Sequence, residues 1–392
     1  MSKAVVASRI ERGQGLPSSV AIISSQAFSL VNFRGPLIQE VASKGVTVWA
    51  LAPDYTEESW YQLERLGAIP VKCSLRRTGV NPVRDLIDII RLAWTLKQLK
   101  PAASLGYFVK PVIFGSVAAW MAGVPRRFAL IEGLGFLFRD DENENALSRR
   151  VCKGTTVRLY RLALGLCEKV MLLNQDDIDD LSRAGILPVE RGTLLGGIGV
   201  DLTRFAPVPP VQHPVTFVMV SRMLKEKGVY EFVSAAREVK GEHSHVRFVL
   251  VGGPDENPGS VTEGELRAWH ATGVVEWRGG VSDVRDELGR ASVFALPSYY
   301  REGVPRSTQE AMAMARPVIT TDRVGCRETV VQGVNGFVIP ARDPKALAAA
   351  MRRFIDEPSL IGSMGKASRE LAEERFDVQV VNRRTLAALA GR

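Results

Sequence analysis

Two acids and two bases stand out in this chain by type and by spacing. Glu302 and Glu310 lie eight residues apart in "REGVPRSTQEAMAMARPVITTD" (301–322), with Gly303, Val304 and Pro305 between them and an Ala/Met-rich run after. "SVFALPSYY" ahead of them reads as a strand entering a loop, and "GVPRSTQEAMAMA" as a helix starting near Pro305, since proline is tolerated where a first turn needs no amide donor. Glu310 then falls in the first turns, where a carboxylate can accept two hydrogen bonds from a vicinal diol such as a ribose. Glu302 is in the preceding loop, and Gly303 lets the backbone approach a ligand closely. Further upstream, Arg222 follows the strand-like "TFVMVS", Lys227 comes five residues later and Gly228 opens a helical stretch. A strand–loop–helix junction attracts anions through unpaired N–H groups and the helix dipole. A guanidinium and an ammonium added there make a diphosphate clamp, each charge-assisted hydrogen bond contributing roughly 1.5–3 kcal/mol. Singly, each feature has a plain reading as an exposed basic turn or a dipole-compensating acid. Together they point to a nucleotide diphosphate.

The elements that must position these residues alternate along the chain. Strands are expected at 20–24, 46–52, 69–73, 127–132 and 169–174, with a further one in "ASLGYF". Between them "GPLIQEVASKG", "PVRDLIDIIRLAWTLKQLK" and "KPVIFGSVAAWMAG" have helical length and apolar spacing. Residues 201–214 carry Pro207, Pro209, Pro210 and Pro214 and read as a linker. The alternation restarts at 216–221, 246–253, 274–280, 292–298, 317–322 and 336–340. The expected organisation is a loose leader (1–17), a Rossmann-like domain (18–200), the linker, a second Rossmann-like domain (215–375) and a C-terminal helix (376–392) packing back on the first domain. Ligands of two doubly wound α/β domains facing each other lie beyond the carboxyl ends of the strands.

Bulk properties exclude several classes. The chain has 392 residues, 46% of them hydrophobic and 24% charged, which is globular rather than disordered composition. No apolar run approaches the roughly 18 residues that span a bilayer, and the leader lacks the apolar core of a signal peptide. Cys73, Cys152, Cys167 and Cys326 form no CxxC pair and read as buried thiols in a reducing cytoplasm. The net charge of +8 is concentrated in Lys72, Arg76, Arg77, Arg84, Arg91, Lys97 and Lys100, and again in Arg149, Arg150, Lys153, Arg158 and Arg161. Besides solvated helix faces, these clusters suit an anionic membrane surface better than nucleic acid, because no aromatic stacking platform is interleaved. No zinc spacing or Ser/His/Asp set is present. "DDIDD" (176–180) has the spacing of some metal-dependent sugar transferases, but after "LLNQ" it reads as the solvated face of a helix. A GxGxxG after the first strand, which a dinucleotide dehydrogenase requires, is missing.

"SRMLKEKG", "PSYYREGVPRSTQEAMA" and "ARPVITTD" resemble the signature of retaining, two-domain nucleotide-sugar glycosyltransferases of the GT-B type (glycosyltransferase family 4, group 1), whose E-x7-E motif matches Glu302 and Glu310. The resemblance covers nearly the whole chain and is strongest from Ser221 to Asp322. "NFRGPLIQEV", "KPVIFGSVAAWMAGVPRR", "EGLGFLF" and "GGIGVDLTRF" resemble a subgroup that extends bacterial lipid-linked oligosaccharides. The resemblance implies that Arg222 and Lys227 hold the leaving diphosphate, Glu302 the donor-sugar hydroxyls and Glu310 the ribose. Gly303, Val304 and Pro305 join the nucleotide-sugar contacts, and Gly35 is the point where the first domain's loop approaches the reacting centre. It further implies a UDP-sugar donor, no cofactor or metal, a polyprenyl diphosphate-linked saccharide as acceptor and a peripheral position on the inner face of the cell membrane. Trp94, Phe108, Phe136 and Phe138 are then candidates for apolar contact with the lipid. Many members place a histidine after the strand "RFALIE"; this chain has four histidines and none precedes the linker, so Glu132 and the glycines of "EGLG" occupy that neighbourhood. The alternatives are a transferase acting on a soluble small-molecule acceptor, or a sugar-nucleotide epimerase or binding protein of the same fold.

Overall fold

The computed structural model describes residues 15–75, 81–134 and 146–392, the side chains of 146–153 excepted. Most of the leader, Arg76, Arg77, Phe136, Phe138 and the side chains of Arg149, Arg150, Cys152 and Lys153 therefore lie outside the described residues. Contacts divide the chain into two compact units, one running to Ile198 and including Gln379–Arg392, the other Gly199–Val378.

The first unit is built on seven strands, β1 (Ser19–Ile23), β2 (Thr47–Ala52), β3 (Ala68–Lys72), β4 (Ala103–Tyr107), β5 (Arg126–Ile131), β6 (Lys169–Leu172) and β7 (Gly192–Leu194), in the order β3-β2-β1-β4-β5-β6-β7. All pairings are parallel, with Val20 beside Val48 and Ala103, and Leu130 beside Met171. Such strands are buried on both faces, and β1 accordingly reads Ser-Val-Ala-Ile-Ile without a polar alternation. Parallel neighbours need crossover helices. Those between β3 and β4 (Pro82–Leu99), β4 and β5 (Ser116–Met121) and β5 and β6 (Ala146–Gly165) pack in a row, each against the next. Ile23, Leu92, Leu96 and Ala118 meet beneath the first two. The C-terminal helix Val378–Leu389 also serves this unit, where the Arg384 guanidinium donates to the Leu195 carbonyl at 2.6 Å.

The second unit repeats the winding with β8 (Thr216–Val220), β9 (Arg247–Val251), β10 (Glu276–Trp277), β11 (Val293–Leu296), β12 (Val318–Thr321) and β13 (Gly336–Ile339), in the order β10-β9-β8-β11-β12-β13, again all parallel. Strand order reverses between β8 and β11, so the loops leaving these two neighbours open a crevice at their carboxyl ends. Residues 201–214 belong to this unit. The Val208 and Val211 amides reach the Met314 and Ala291 carbonyls at 3.4 Å. Arg316, fully buried, donates to the Leu288, Val208 and Gly289 carbonyls at 2.6, 3.0 and 3.2 Å. Burial lowers its pKa to about 10, and the three carbonyls satisfy the guanidinium in place of a carboxylate.

Three local expectations change. β6 stops at Leu172 because Asn174 caps the helix Gln175–Arg183, its Oδ1 accepting from the Asp177 amide at 2.8 Å. Asp177 is then fully buried with Asn174 Nδ2 on its carboxylate at 3.1 Å, so the reading of "DDIDD" as solvated surface fails at that residue. The strand expected at 274–280 shrinks to Glu276–Trp277, an edge strand paired only with β9. β7 was not anticipated, being three residues long without apolar alternation.

Arg316→Ala removes the donor shared by three carbonyls, that of Leu288 buried, and is expected to destabilise the second unit by about 3 kcal/mol, read as a lower denaturation midpoint. Arg316→Lys rescues little, since one ammonium cannot span the three acceptors.

Candidate functional site

The crevice between β8 and β11 is lined by two loops that are stitched together. After β8 the chain passes Met223 and Leu224, both buried, makes a 3-10 turn at Lys225–Lys227 and enters the helix Val229–Glu242 through Gly228. Gly228 has φ +81°, and a Cβ there would lie 2.2 Å from the Pro297 carbonyl oxygen, so only glycine lets the helix start this close to the loop after β11. The Glu226 carbonyl accepts from the Tyr299 and Tyr300 amides at 3.0 Å and from the Ser298 hydroxyl at 3.1 Å. The β8 loop and the β11 loop thus behave as one piece.

This stitching brings Lys227 to Glu302. The ammonium and carboxylate form an ion pair with about one-tenth of either side chain exposed (14% and 10%). Ser298 Oγ donates to the same Glu302 oxygen at 2.9 Å, and the Lys227 ammonium lies 5.6 Å from the centre of the Tyr300 ring. Behind Glu302 the chain from β12 returns through Gly325, at φ +81°, where a Cβ would come within 2.3 and 2.5 Å of the Gly303 and Glu302 carbonyl oxygens. The adjacent Cys326 thiol is pushed up to about 12 by burial and by the Glu302 charge, which makes it a packing group rather than a nucleophile.

Glu310 occupies the helix Arg306–Ala313, with Pro305 at the flanking cap position rather than inside the first turn. Arg306, one turn earlier, donates from Nε to Glu310 at 2.7 Å and from Nη1 to the Gly199 carbonyl at 3.3 Å. Burial raises the Glu310 pKa above the usual carboxylate range, while Arg306 and then Arg204 pull it back down. Val304 is buried and its carbonyl accepts from Gln309 Nε2 at 3.0 Å, so Gly303, Val304 and Pro305 set the angle between the loop and the helix.

Of the expected clamp, Lys227 is at the pair with Glu302, whereas Arg222 is half exposed and held by Asp255 at 3.1 Å. Asp255, Ser298 and Arg306 were not singled out from sequence; only Arg306 left a signal there, as the i−4 partner of Glu310 in "RSTQE". Gly35 opens the helix Gly35–Ser43 in the first unit, and a Cβ on it would meet Leu66 Cδ1 at 3.2 Å. Its neighbour Arg34, also missed, is buried against Glu132 as an ion pair with its guanidinium 4.9 Å from the Tyr107 ring centre. Glu132 in this chain is therefore the partner of an arginine. The turn at 277–280 flanks a cavity of about 480 Å³ lined by Arg267, His270, Trp277, Arg278 and Gly279. Among the described residues, no group of three or more His, Cys, Asp or Glu is arranged to hold a metal ion.

Residues 214–357, which contain the whole crevice, match the family model described as "Glycosyl transferases group 1". Over 94% of its length the chain is 27% identical to 97% of the N,N'-diacetylbacillosaminyl-diphospho-undecaprenol alpha-1,3-N-acetylgalactosaminyltransferase of Campylobacter jejuni. It is 24% identical, over 88% of its length and 90% of the relative's, to the capsular polysaccharide biosynthesis glycosyltransferase CapM of Staphylococcus aureus. Among solved structures, Anabaena HepE in complex with UDP and glucose superposes with a TM-score of 0.74 over 95% of this chain and 100% of that one, at 16% identity. Sucrose-phosphate synthase of Thermosynechococcus elongatus gives 0.74 over 94% and 97%, also at 16%. At such identities the likeness is one of fold.

Glu310 supplies a pH-dependent test. Its folded pKa is raised, so the native state holds its proton more tightly than the unfolded chain and stability falls as pH rises through that raised value. The thermal midpoint of the wild type relative to Glu310→Gln is expected to be most favourable near about pH 4 and to decline towards neutrality. A difference that is flat with pH, or rises, contradicts the assigned burial.

Proposed function

The chain is a group 1 glycosyltransferase of the GT-B fold, and from that premise we propose that it transfers a sugar from a UDP-sugar to a polyprenyl diphosphate-linked saccharide, with retention of anomeric configuration, in the assembly of a bacterial surface glycan. The observation that carries the reading is the Lys227–Glu302 pair, set beside the Gly228 helix entry at the point where strand order reverses. An ammonium has three donors and Glu302 engages one direction, so Lys227 can hold the sugar-side carboxylate and still donate to the leaving phosphate. Arg222 joins it by exchanging Asp255 for phosphate. With half its side chain exposed, that exchange gives up an ion pair contributing only about 0–1 kcal/mol. Glu302 orients the donor-sugar hydroxyls, and Glu310, hydrogen-bonded to Arg306, accepts from the ribose diol.

In the reaction the acceptor hydroxyl oxygen bonds to the anomeric carbon on the face from which UDP departs. The anomeric C–O bond to the diphosphate breaks, and the leaving phosphate oxygen takes the acceptor's proton. Lys227, Arg222 and the helix entry stabilise the charge that develops on the diphosphate, the role a divalent ion plays in other sugar transferases. The lipid-linked acceptor is supported by the name of the Campylobacter relative and by the basic helices of the first unit. No described helix is long and apolar enough to cross a membrane, and we place the protein peripherally on the inner face.

A thermal-shift panel of UDP, GDP, ADP, CMP and NAD is expected to single out UDP, with stabilisation of about 2.7 kcal/mol at one hundred times Kd. Glu310→Ala should abolish that response; one untouched by the substitution removes the ribose from Glu310. With a UDP-sugar and a lipid-linked acceptor, Lys227→Ala should lower turnover by about 10²–10³. Near-normal turnover would sink the phosphate assignment.

A further inference from the structure

Helix Pro82–Leu99 buries one face and exposes another that is unusually apolar. Asp88, Leu92 and Leu96 point into the first unit, while Val83, Leu86, Ile87, Ile90 and Trp94 are 70, 57, 43, 51 and 64% exposed. Their spacing of i, i+3, i+4, i+7 and i+11 makes one continuous stripe about 100° wide. Scattered apolar side chains on a surface need no explanation, but five large ones in a single stripe do. The next helix of the row, Ser116–Met121, packs against this one and adds Trp120, 56% exposed.

The charge around the stripe has one sign. Arg84 and Arg91 are exposed along one flank and Lys97 at its C-terminal end. The helix's two acids face away, Asp88 buried and Asp85 held by Lys110 at 2.9 Å, so its exposed residues include no carboxylate. A second copy docked symmetrically on this stripe would set Arg84, Arg91 and Lys97 against themselves. An apolar stripe with a tryptophan, flanked by arginines whose stems can lie along it while their heads reach outward, is instead the pattern of a helix lying in a lipid interface.

We propose that the exposed face of helix Pro82–Leu99, extended by Trp120, is the surface by which this protein docks on an anionic membrane. The stripe enters the acyl boundary, and Arg84, Arg91 and Lys97 meet anionic headgroups. This gives a residue-level identity to the membrane attachment in the function proposed above, and it rests on that reading. The core of the first unit is left in place by docking, because Leu92 and Leu96 remain buried on the opposite face of the helix.

The test is sedimentation of the full chain with vesicles of phosphatidylcholine containing a minority of phosphatidylglycerol, against phosphatidylcholine alone, with UDP stabilisation measured on the same samples. The wild type is expected to bind the anionic vesicles preferentially and to lose affinity with added salt. Leu86→Ser/Ile90→Ser/Trp94→Ser should weaken binding at least about tenfold, and Arg84→Glu/Arg91→Glu should weaken it on anionic vesicles only. Tyr61→Ser, which removes an exposed aromatic from a different helix, should change nothing. UDP stabilisation retained in the triple variant shows that it is folded. Vesicle binding that survives the triple substitution overturns the proposal, as does a wild-type dimer that this substitution dissolves. A wild type that binds UDP but no vesicle removes the membrane surface and leaves the transferase reading standing. Vesicle binding without any nucleotide response does the reverse.

Discussion

Parallel pairing is the constraint on which the rest of this protein depends. Parallel neighbours cannot be joined by a hairpin, so nearly every strand must be followed by a crossover helix, and the helices cover both faces of each sheet. With the faces sealed, the loops at the strand ends are where chemistry can be exposed. Where strand order reverses, between β8 and β11, the two outgoing loops diverge and leave a crevice. The β8 and β11 loops bring Lys227 and Glu302 together there as an ion pair with little of either side chain exposed. The Glu226 carbonyl, accepting from three donors of the opposite loop, removes the freedom that loops ordinarily have.

The charges of the crevice are arranged as pairs, and burial explains why. Removing an ammonium or a carboxylate from water costs several kcal/mol, which a partner offsets only when geometry and further hydrogen bonds are good. Lys227 and Glu302 meet this with Ser298 as the additional donor; for Glu310 the Arg306 hydrogen bond offsets burial only in part, and the pKa stays raised. Arg316 meets it with carbonyls alone, and so clamps the proline-rich segment 201–214 onto the unit that follows it. In the first unit, Arg34 and Glu132 obey the same rule. An acid at the strand end where a histidine was the familial expectation is thereby bound to a buried guanidinium rather than presented alone.

The helix row of the first unit follows a different logic. Its inner side is fixed by the sheet, and in helix Pro82–Leu99 Leu92, Ala93 and Leu96 turn inward, with Asp88 buried and Asp85 held by Lys110. Its outer side is under no such constraint from the fold. A stripe that is apolar there adds little to the core, since Val83, Leu86 and Trp94 are more than half exposed.

Sequence alone determined the two sheets and most of their strands, because a strand buried on both faces is written as an uninterrupted apolar run, as in β8 and β11. It also determined that Glu302 and Glu310 belong to one loop–helix junction, a local matter of spacing. What only the tertiary structure decided are the contacts between distant positions. Lys227 finds Glu302 across 75 residues and Arg34 finds Glu132 across 98, and no local pattern encodes either. Burial was equally out of reach. Asp177 in "DDIDD" looks solvated until Asn174 caps the helix over it. Helix Pro82–Leu99 is apolar around so much of its circumference that periodicity cannot say which stripe faces the core. The sheet chose Leu92 and Leu96, and by that choice left Ile90 and Trp94 outside.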